Sequence, residues 1–135
     1  MEVTPYLHFA GNCEEAITFY AAALNGSIES LNRYGGSPME ARAGKGYEEK
    51  IMHATLVAGG VKLMASDTIP GHALGSGNPA VTLSLHSADA AEGAKAFEAL
   101  GAGGQVDMPL QEVFWGGRFG MLTDRFGIRW MMSTG

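Results

Sequence analysis

Few side chains in this sequence have both the type and the neighbours that chemistry needs. His53 sits in Ile51-Met52-His53-Ala54, an imidazole set in an apolar run. There it can ligate a metal, carry a proton or hydrogen-bond a guest, and its commonest role is as a satisfied polar group in the interior. Gln111-Glu112-Val113-Phe114-Trp115 places a carboxylate beside two aromatics. That combination suits a general base, a polar anchor in an aromatic wall, or plain rim structure. Arg33 and Tyr34 stand at the root of a long polar loop, where a guanidinium can grip an anion through two parallel N–H bonds. Cys13 follows a helix cap, a place where the helix dipole can lower a thiol pKa. No histidine is fixed beside it, so a small first-turn residue is the better reading. Met52, Met64, Met121, Met131 and Met132 put polarisable side chains on inferred strands, where core filling is their ordinary role.

The elements that must position these groups follow from periodicity. A strand at about Thr4–Phe9 places Leu7 and Phe9 on one face. Asn12-Cys13-Glu14-Glu15 has the form of a capping box, and the helix after it carries Ala16, Phe19, Tyr20, Ala23 and Leu24 as one apolar stripe. Asn25-Gly26 ends that helix, with glycine taking the left-handed C-cap conformation. A strand over Ile28–Tyr34 leads into a polar, glycine-rich loop, Gly35–Glu49, long enough to be a lid or to lack order. Lys50–Ala58 and Val61–Ala65 read as a hairpin through Gly59-Gly60. The same order then repeats. Val81–Leu85 is a strand, and Asp89-Ala90-Ala91-Glu92 caps a helix carrying Ala94, Phe97 and Leu100. A strand near Gln105–Met108 precedes an irregular loop, Pro109–Gly117, and a last hairpin spans Arg118–Thr123 and Ile128–Ser133.

The repeat holds in register. Adding 78 takes Glu14 to Glu92, Ala16 to Ala94 and Phe19 to Phe97, while Gly60-Val61-Lys62-Leu63-Met64 lies against Gly127-Ile128-Arg129-Trp130-Met131. The chain is therefore expected to be α+β, one domain over 1–135 built from two βαβββ modules, about 1–66 and 80–135, with a linker over 67–79. Two such modules can close their helix-free faces into a curved cup, and pockets favour such interfaces.

Bulk composition narrows the partners. The chain has 135 residues, 46% hydrophobic and 17% charged, in the globular range. A net charge of −5 without a basic run argues against nucleic acid or an anionic membrane. Cys13 is the single cysteine, which suits a reducing compartment. The start has no basic-then-apolar pattern of a signal peptide, and no apolar run approaches the roughly 20 residues of a membrane helix. A cytoplasmic location is expected. His72 and His86 read as solvated, one in the linker and one just past a strand end.

Pro5-Tyr6-Leu7, Phe9-x-Gly11-Asn12-Cys13-x-x-Ala16, the Ile51–Ala54 strand, Phe114-Trp115 and the run Phe119–Trp130 together resemble the PhnB-like branch of the vicinal oxygen chelate superfamily. That superfamily includes glyoxalase I, fosfomycin and bleomycin resistance proteins and extradiol dioxygenases. The resemblance covers essentially the whole chain, and Asp-x-Phe-Gly-x-x-Trp at the last hairpin is its most specific part. It implies paired βαβββ modules, frequent homodimers and a cup that often holds a divalent metal on four strand positions. Here those positions fall on Pro5, His53, Thr82 and Met131. Only His53 is a competent ligand, so no tight metal site is expected, catalytic zinc typically needing three protein ligands. A one-residue slip brings Arg129 or Trp130 to the fourth position and restores nothing. PhnB-like members are often labelled methyltransferase-like or phosphonate-associated, yet no glycine-rich cofactor loop is present to support methyl transfer.

Three functions remain, in this order. The first is a metal-free protein binding a small, partly apolar molecule, with His53, Arg33, Tyr34, Glu112, Phe114, Trp115 and Met131 as candidate contacts. The second is a metal-dependent lyase, isomerase or dioxygenase-like enzyme, with a divalent ion at a site rearranged around His53 and Glu112. The third is a dimeric structural or interaction protein.

Overall fold

A computed structural model of the chain describes residues 1–72, 74 and 80–135. Strand β1 (Tyr6–Phe9) buries Leu7 and Phe9 and leaves Tyr6 and His8 on the opposite face. Helix α1 (Cys13–Ala23) buries Cys13, Ala16, Ile17 and Tyr20, an i, i+3, i+4, i+7 stripe. That stripe is rotated from the expected one, and Phe19 lies at its margin. The predicted capping box is absent: Asn12 makes no side-chain cap bond. Gly26 N–H donates to Ala21 O and Asn25 N–H to Ala22 O, a Schellman closure. It is Asn25, not Gly26, that takes the left-handed conformation, with φ 53°. Gly26 is needed for space, because a Cβ there would sit 2.6 Å from both Ala58 Cβ and Val57 O.

Strands β2 (Ser27–Arg33), β3 (Ile51–Ala58) and β4 (Val61–Asp67) complete a four-stranded sheet in the order β1-β4-β3-β2. β1 runs parallel to β4, and the other pairs are antiparallel. Asn32 pairs with His53 but Arg33 with Ile51, so Met52 bulges out of the ladder. The bulge resets the alternation and lets Ile51 and Ala54, three apart, both be fully buried. The polar loop expected over 35–49 contains a short helix, α2 (Glu40–Ala43), with Ala43 buried.

The second half is built alike: β5 (Leu83–Ser87), α3 (Ala90–Gly101), β6 (Gln105–Glu112), β7 (Arg118–Thr123) and β8 (Arg129–Thr134), in sheet order β5-β8-β7-β6. Here the cap is as expected, Asp89 accepting from the N–H groups of Ala91 and Glu92. Phe97 and Leu100 are buried. β8 is shifted by one residue from its expected Ile128–Ser133, and two strands differ by more. β5 begins two residues later than expected, so His86 lies within it, its Nδ1 3.0 Å from Ser133 Oγ. β6 runs on through Pro109 to Glu112, which shortens the irregular loop to 113–117. Proline is tolerated there because β6 is an edge strand and need not donate on both sides.

The chain divides into two compact units, Met1–Ser76 and Gly77–Gly135, each a βαβββ module with one helix on its sheet. Asp67, placed in the linker by sequence, is instead the last residue of β4. The rest of that linker falls partly on 73 and 75–79, outside the described residues. No helix among the described residues is long and apolar enough to cross a membrane.

Candidate functional site

In the first unit, α1 covers the sheet face made by Leu7, Phe9, Ala54, Leu56, Leu63 and Ala65, all buried. The opposite face carries the polar groups. Tyr6 pairs with Met64, and Met64 with Thr55, which sets the three in one row across β1, β4 and β3. His8 and Ser66 form the adjacent row, and His53 precedes Thr55 by two residues on the same face.

This row assembles a hydrogen-bonded chain around His53. Tyr6 Oη lies 3.2 Å from His53 Nδ1, and His53 Nε2 lies 3.2 Å from Thr55 Oγ1. Whichever tautomer the ring adopts, one nitrogen donates and the other accepts, and a hydroxyl can serve either role. The Tyr6 ring also stacks on His8, with centroids 5.0 Å apart and planes inclined by 29°, and meets His53 at 5.7 Å. Tyr6 remains 39% exposed, whereas Thr55 is buried. Tyr6, His8 and Thr55 were not singled out from sequence. Strand alternation alone already put Tyr6 and His8 opposite Leu7 and Phe9, and that was the available signal.

The other candidates in this unit are committed to structure. The Arg33 guanidinium donates to Glu14 at 3.0 and 2.8 Å and to the Glu49 carbonyl at 2.7 Å. That pairing lowers the Glu14 carboxyl below its usual range and raises Arg33. Tyr34 is buried and donates its hydroxyl to the Asp67 carbonyl at 2.7 Å, while Tyr47 donates to the next carbonyl, that of Thr68. The two rings lie 5.4 Å apart, so the root of the 35–49 loop is clasped onto the end of β4. Burial, then the nearby Asp67 carboxylate, pushes both phenols upward.

Asp67 is the centre of this region. It is 1% exposed, and its carboxylate accepts from the N–H groups of Gly11, Cys13 and Ile51, each at 2.9 Å. It therefore does for α1 what Asn12 does not, and fixes the start of β3 two residues before His53. Cys13 is fully buried against it. Burial, followed by the Asp67 and Glu14 charges, pushes its thiol up to about 12, the opposite of an activated nucleophile.

The second unit gathers Glu112, Phe114 and Trp115 at the β6–β7 turn and sets Met131 within β8. Glu112 ends β6, exposed and opposite Arg118 in the ladder. Phe114 and Trp115 occupy the β6–β7 turn, 96% and 61% exposed, edge to face at 4.8 Å. Met131 lies on the face opposite α3, between Ser84 and Met121. The Asp-x-Phe-Gly-x-x-Trp motif proves to be architecture. Asp124 accepts from the N–H groups of Phe126 and Ile128 and from the buried Trp130 indole at 2.8 Å.

The four strand positions of the superfamily's metal fit the ion poorly. Pro5 has no donor side chain, Thr82 precedes β5, Met131 offers only a thioether, and both nitrogens of His53 face hydroxyls. Among the described residues, no three or more His, Cys, Asp or Glu side chains gather as a metal site would require.

Paired βαβββ units of this order define the glyoxalase/bleomycin resistance/dioxygenase fold. A domain of that description from Frankia sp. superposes with a TM-score of 0.71 at 17% identity, covering 100% of this chain and 91% of that one. The chain belongs to the family described as 3-demethylubiquinone-9 3-methyltransferase, matched over residues 1–133, within the PhnB-like branch of the vicinal oxygen chelate superfamily. It is 37% identical to Protein YjdN of Escherichia coli, over 99% of this chain and 95% of that protein. The crystal structure of protein PA1353 from Pseudomonas aeruginosa matches with a TM-score of 0.87 and 42% identity, covering 99% and 97% of the two chains. A PhnB protein from Bacillus cereus matches with a TM-score of 0.82 and 29% identity over 100% of both chains.

Proposed function

We propose that this protein binds a small, partly apolar molecule on the helix-free sheet face of its first unit, with His53 as the polar anchor and no resident metal ion. The observation that carries this reading is the pair of hydroxyls, Tyr6 Oη and Thr55 Oγ1, that take up both ring nitrogens of His53. A metal ligand needs one nitrogen's lone pair free and the other braced by an outer partner. Here a hydroxyl stands at each end, an arrangement that a guest's own hydroxyl or carbonyl can join without deprotonating anything.

The test has two arms. Calorimetric titration with zinc, manganese or nickel should show no ion bound at one per chain. In a thermal-shift screen, a true ligand at about 100 times its Kd should stabilise the protein by about 2.7 kcal/mol, and His53→Ala should remove most of that gain. One tightly bound ion per chain, lost in His53→Ala, would contradict the proposal and favour the metal-dependent enzyme.

The methyltransferase description of the family and of the Bacillus cereus relative supplies an enzymatic alternative, for which the sequence has no glycine-rich cofactor loop. A second reading, association of two copies, draws on the exposure of Phe114 and Trp115. Large aromatics presented together at a turn are characteristic of protein–protein contacts.

A further inference from the structure

From the arrangement around Tyr6 we infer the class of ligand: a neutral, flat aromatic ring bearing a hydroxyl or carbonyl oxygen. This rests on the binding reading above and deepens it. Three observations carry it.

The first is geometric. The Tyr6 and His8 rings form an offset stack 5.0 Å apart, with Tyr6 39% exposed and His8 exposed, so the stack has reachable ring surface left. A further flat ring extends such a stack, whereas a saturated ring of equal size offers no π-face to pair. The second is polar. The Tyr6–His53–Thr55 chain ends beside that stack, and its hydroxyls and imidazole can accept from or donate to one ligand oxygen. The third is charge. Arg33 is held by Glu14 and Glu49, and the Lys50 ammonium donates to Gly11 O at 2.7 Å. Lys62, exposed and paired with Val57, stands on this face two residues before Met64 along β4. No lysine or arginine therefore stands in the Tyr6–Met64–Thr55 row or the adjacent His8–Ser66 row, so a carboxylate placed there would meet no guanidinium or ammonium to pair with. The counterpart rows of the second unit, Ser84–Met131–Met121 and His86–Ser133–Phe119, keep one imidazole but set it on Ser133, with serine and methionine where Tyr6 and Thr55 stand, so the phenol–imidazole–hydroxyl chain belongs to the first unit.

The experiment is an NMR titration of the full chain with three probes: para-hydroxyacetophenone, its cyclohexane analogue and para-hydroxybenzoate. The aromatic ketone is expected to shift the ring resonances of Tyr6, His8 and His53 and to bind roughly five- to tenfold more tightly than the saturated analogue. The benzoate should bind more weakly than the ketone. Tyr6→Leu should abolish the preference for the aromatic ring, while Tyr6→Phe, which keeps the ring and serves as the control for folding, should retain it. Equal affinity for the saturated analogue at the same resonances would overturn the ligand class and leave the binding reading standing. Tighter binding of the benzoate would overturn neutrality. No shift of this face with any of the three probes would overturn both.

Discussion

Asp67 shows how one residue can hold both an element and a site. Three backbone N–H groups converge on its buried carboxylate, so truncation leaves three donors in the interior with nothing to meet. Asp67→Ala is expected to cost about 2–4 kcal/mol in urea unfolding, far more than a surface change. Its counterpart 67 positions later is Thr134, whose Oγ1 is buried and without a hydrogen-bond partner. Thr134→Val removes an unpaid desolvation at equal shape, so it should be neutral or stabilising by about 1 kcal/mol. Cys13 supplies a pH dependence. Its thiol rises from an ordinary 9.0 to about 12, so the folded state keeps a proton that the unfolded chain loses. The associated stability is fully present below pH 9 and declines as pH climbs toward 12. Tyr34 and Tyr47, also raised, add to the loss only above their usual 10.0. The urea midpoint should therefore begin to fall near pH 9, and Cys13→Ala should delay the fall until the tyrosines titrate.

At the scale of elements, the two helices solve one problem in two ways. α3 is capped by its own Asp89, whereas α1 is capped by a carboxylate 54 residues away from Cys13. Asp89→Ala should cost about 1 kcal/mol, and Asn12→Ala no more than a few tenths, measured side by side by denaturant unfolding. This difference explains what could be read in the chain. The Asp89-x-x-Glu92 cap is local and was legible in four residues. Asn12-x-x-Glu15 looks the same, but Asn12 makes no cap bond and the distant Asp67 takes the Gly11 and Cys13 N–H groups on either side of it, which no window of sequence shows. Strand alternation revealed which residues share a face, yet not that β4 lies between β1 and β3. Tyr6 and His53 could be recognised as partners only once that order was known. Pro109 reads as a breaker until β6 is seen to be an edge strand. Arg33 looked available for an anion because Glu14 stands 19 residues away and meets it only through the fold.

At the scale of the whole chain, the internal repeat survives as topology and register while its chemistry has diverged. Tyr6 pairs with Met64 as Ser84 pairs with Met131, and His8 with Ser66 as His86 with Ser133. Following the same register, Thr55 corresponds to Met121 and His53 to Phe119. The polar chain thus has no copy in the second unit, whose equivalent face is methionine and phenylalanine with two serines and a histidine. Divergence of this kind is what a single asymmetric guest would favour, and of the four strand positions Pro5, His53, Thr82 and Met131 it leaves an imidazole at one alone, where a metal would need several donors. The most direct measurement is native mass spectrometry of untagged protein purified gently and without chelator. The expected result is a homodimer free of stoichiometric divalent metal, carrying an added small-molecule mass that His53→Ala fails to retain. A chain that holds one divalent ion, and loses it with His53→Ala, would contradict the metal-free binding site.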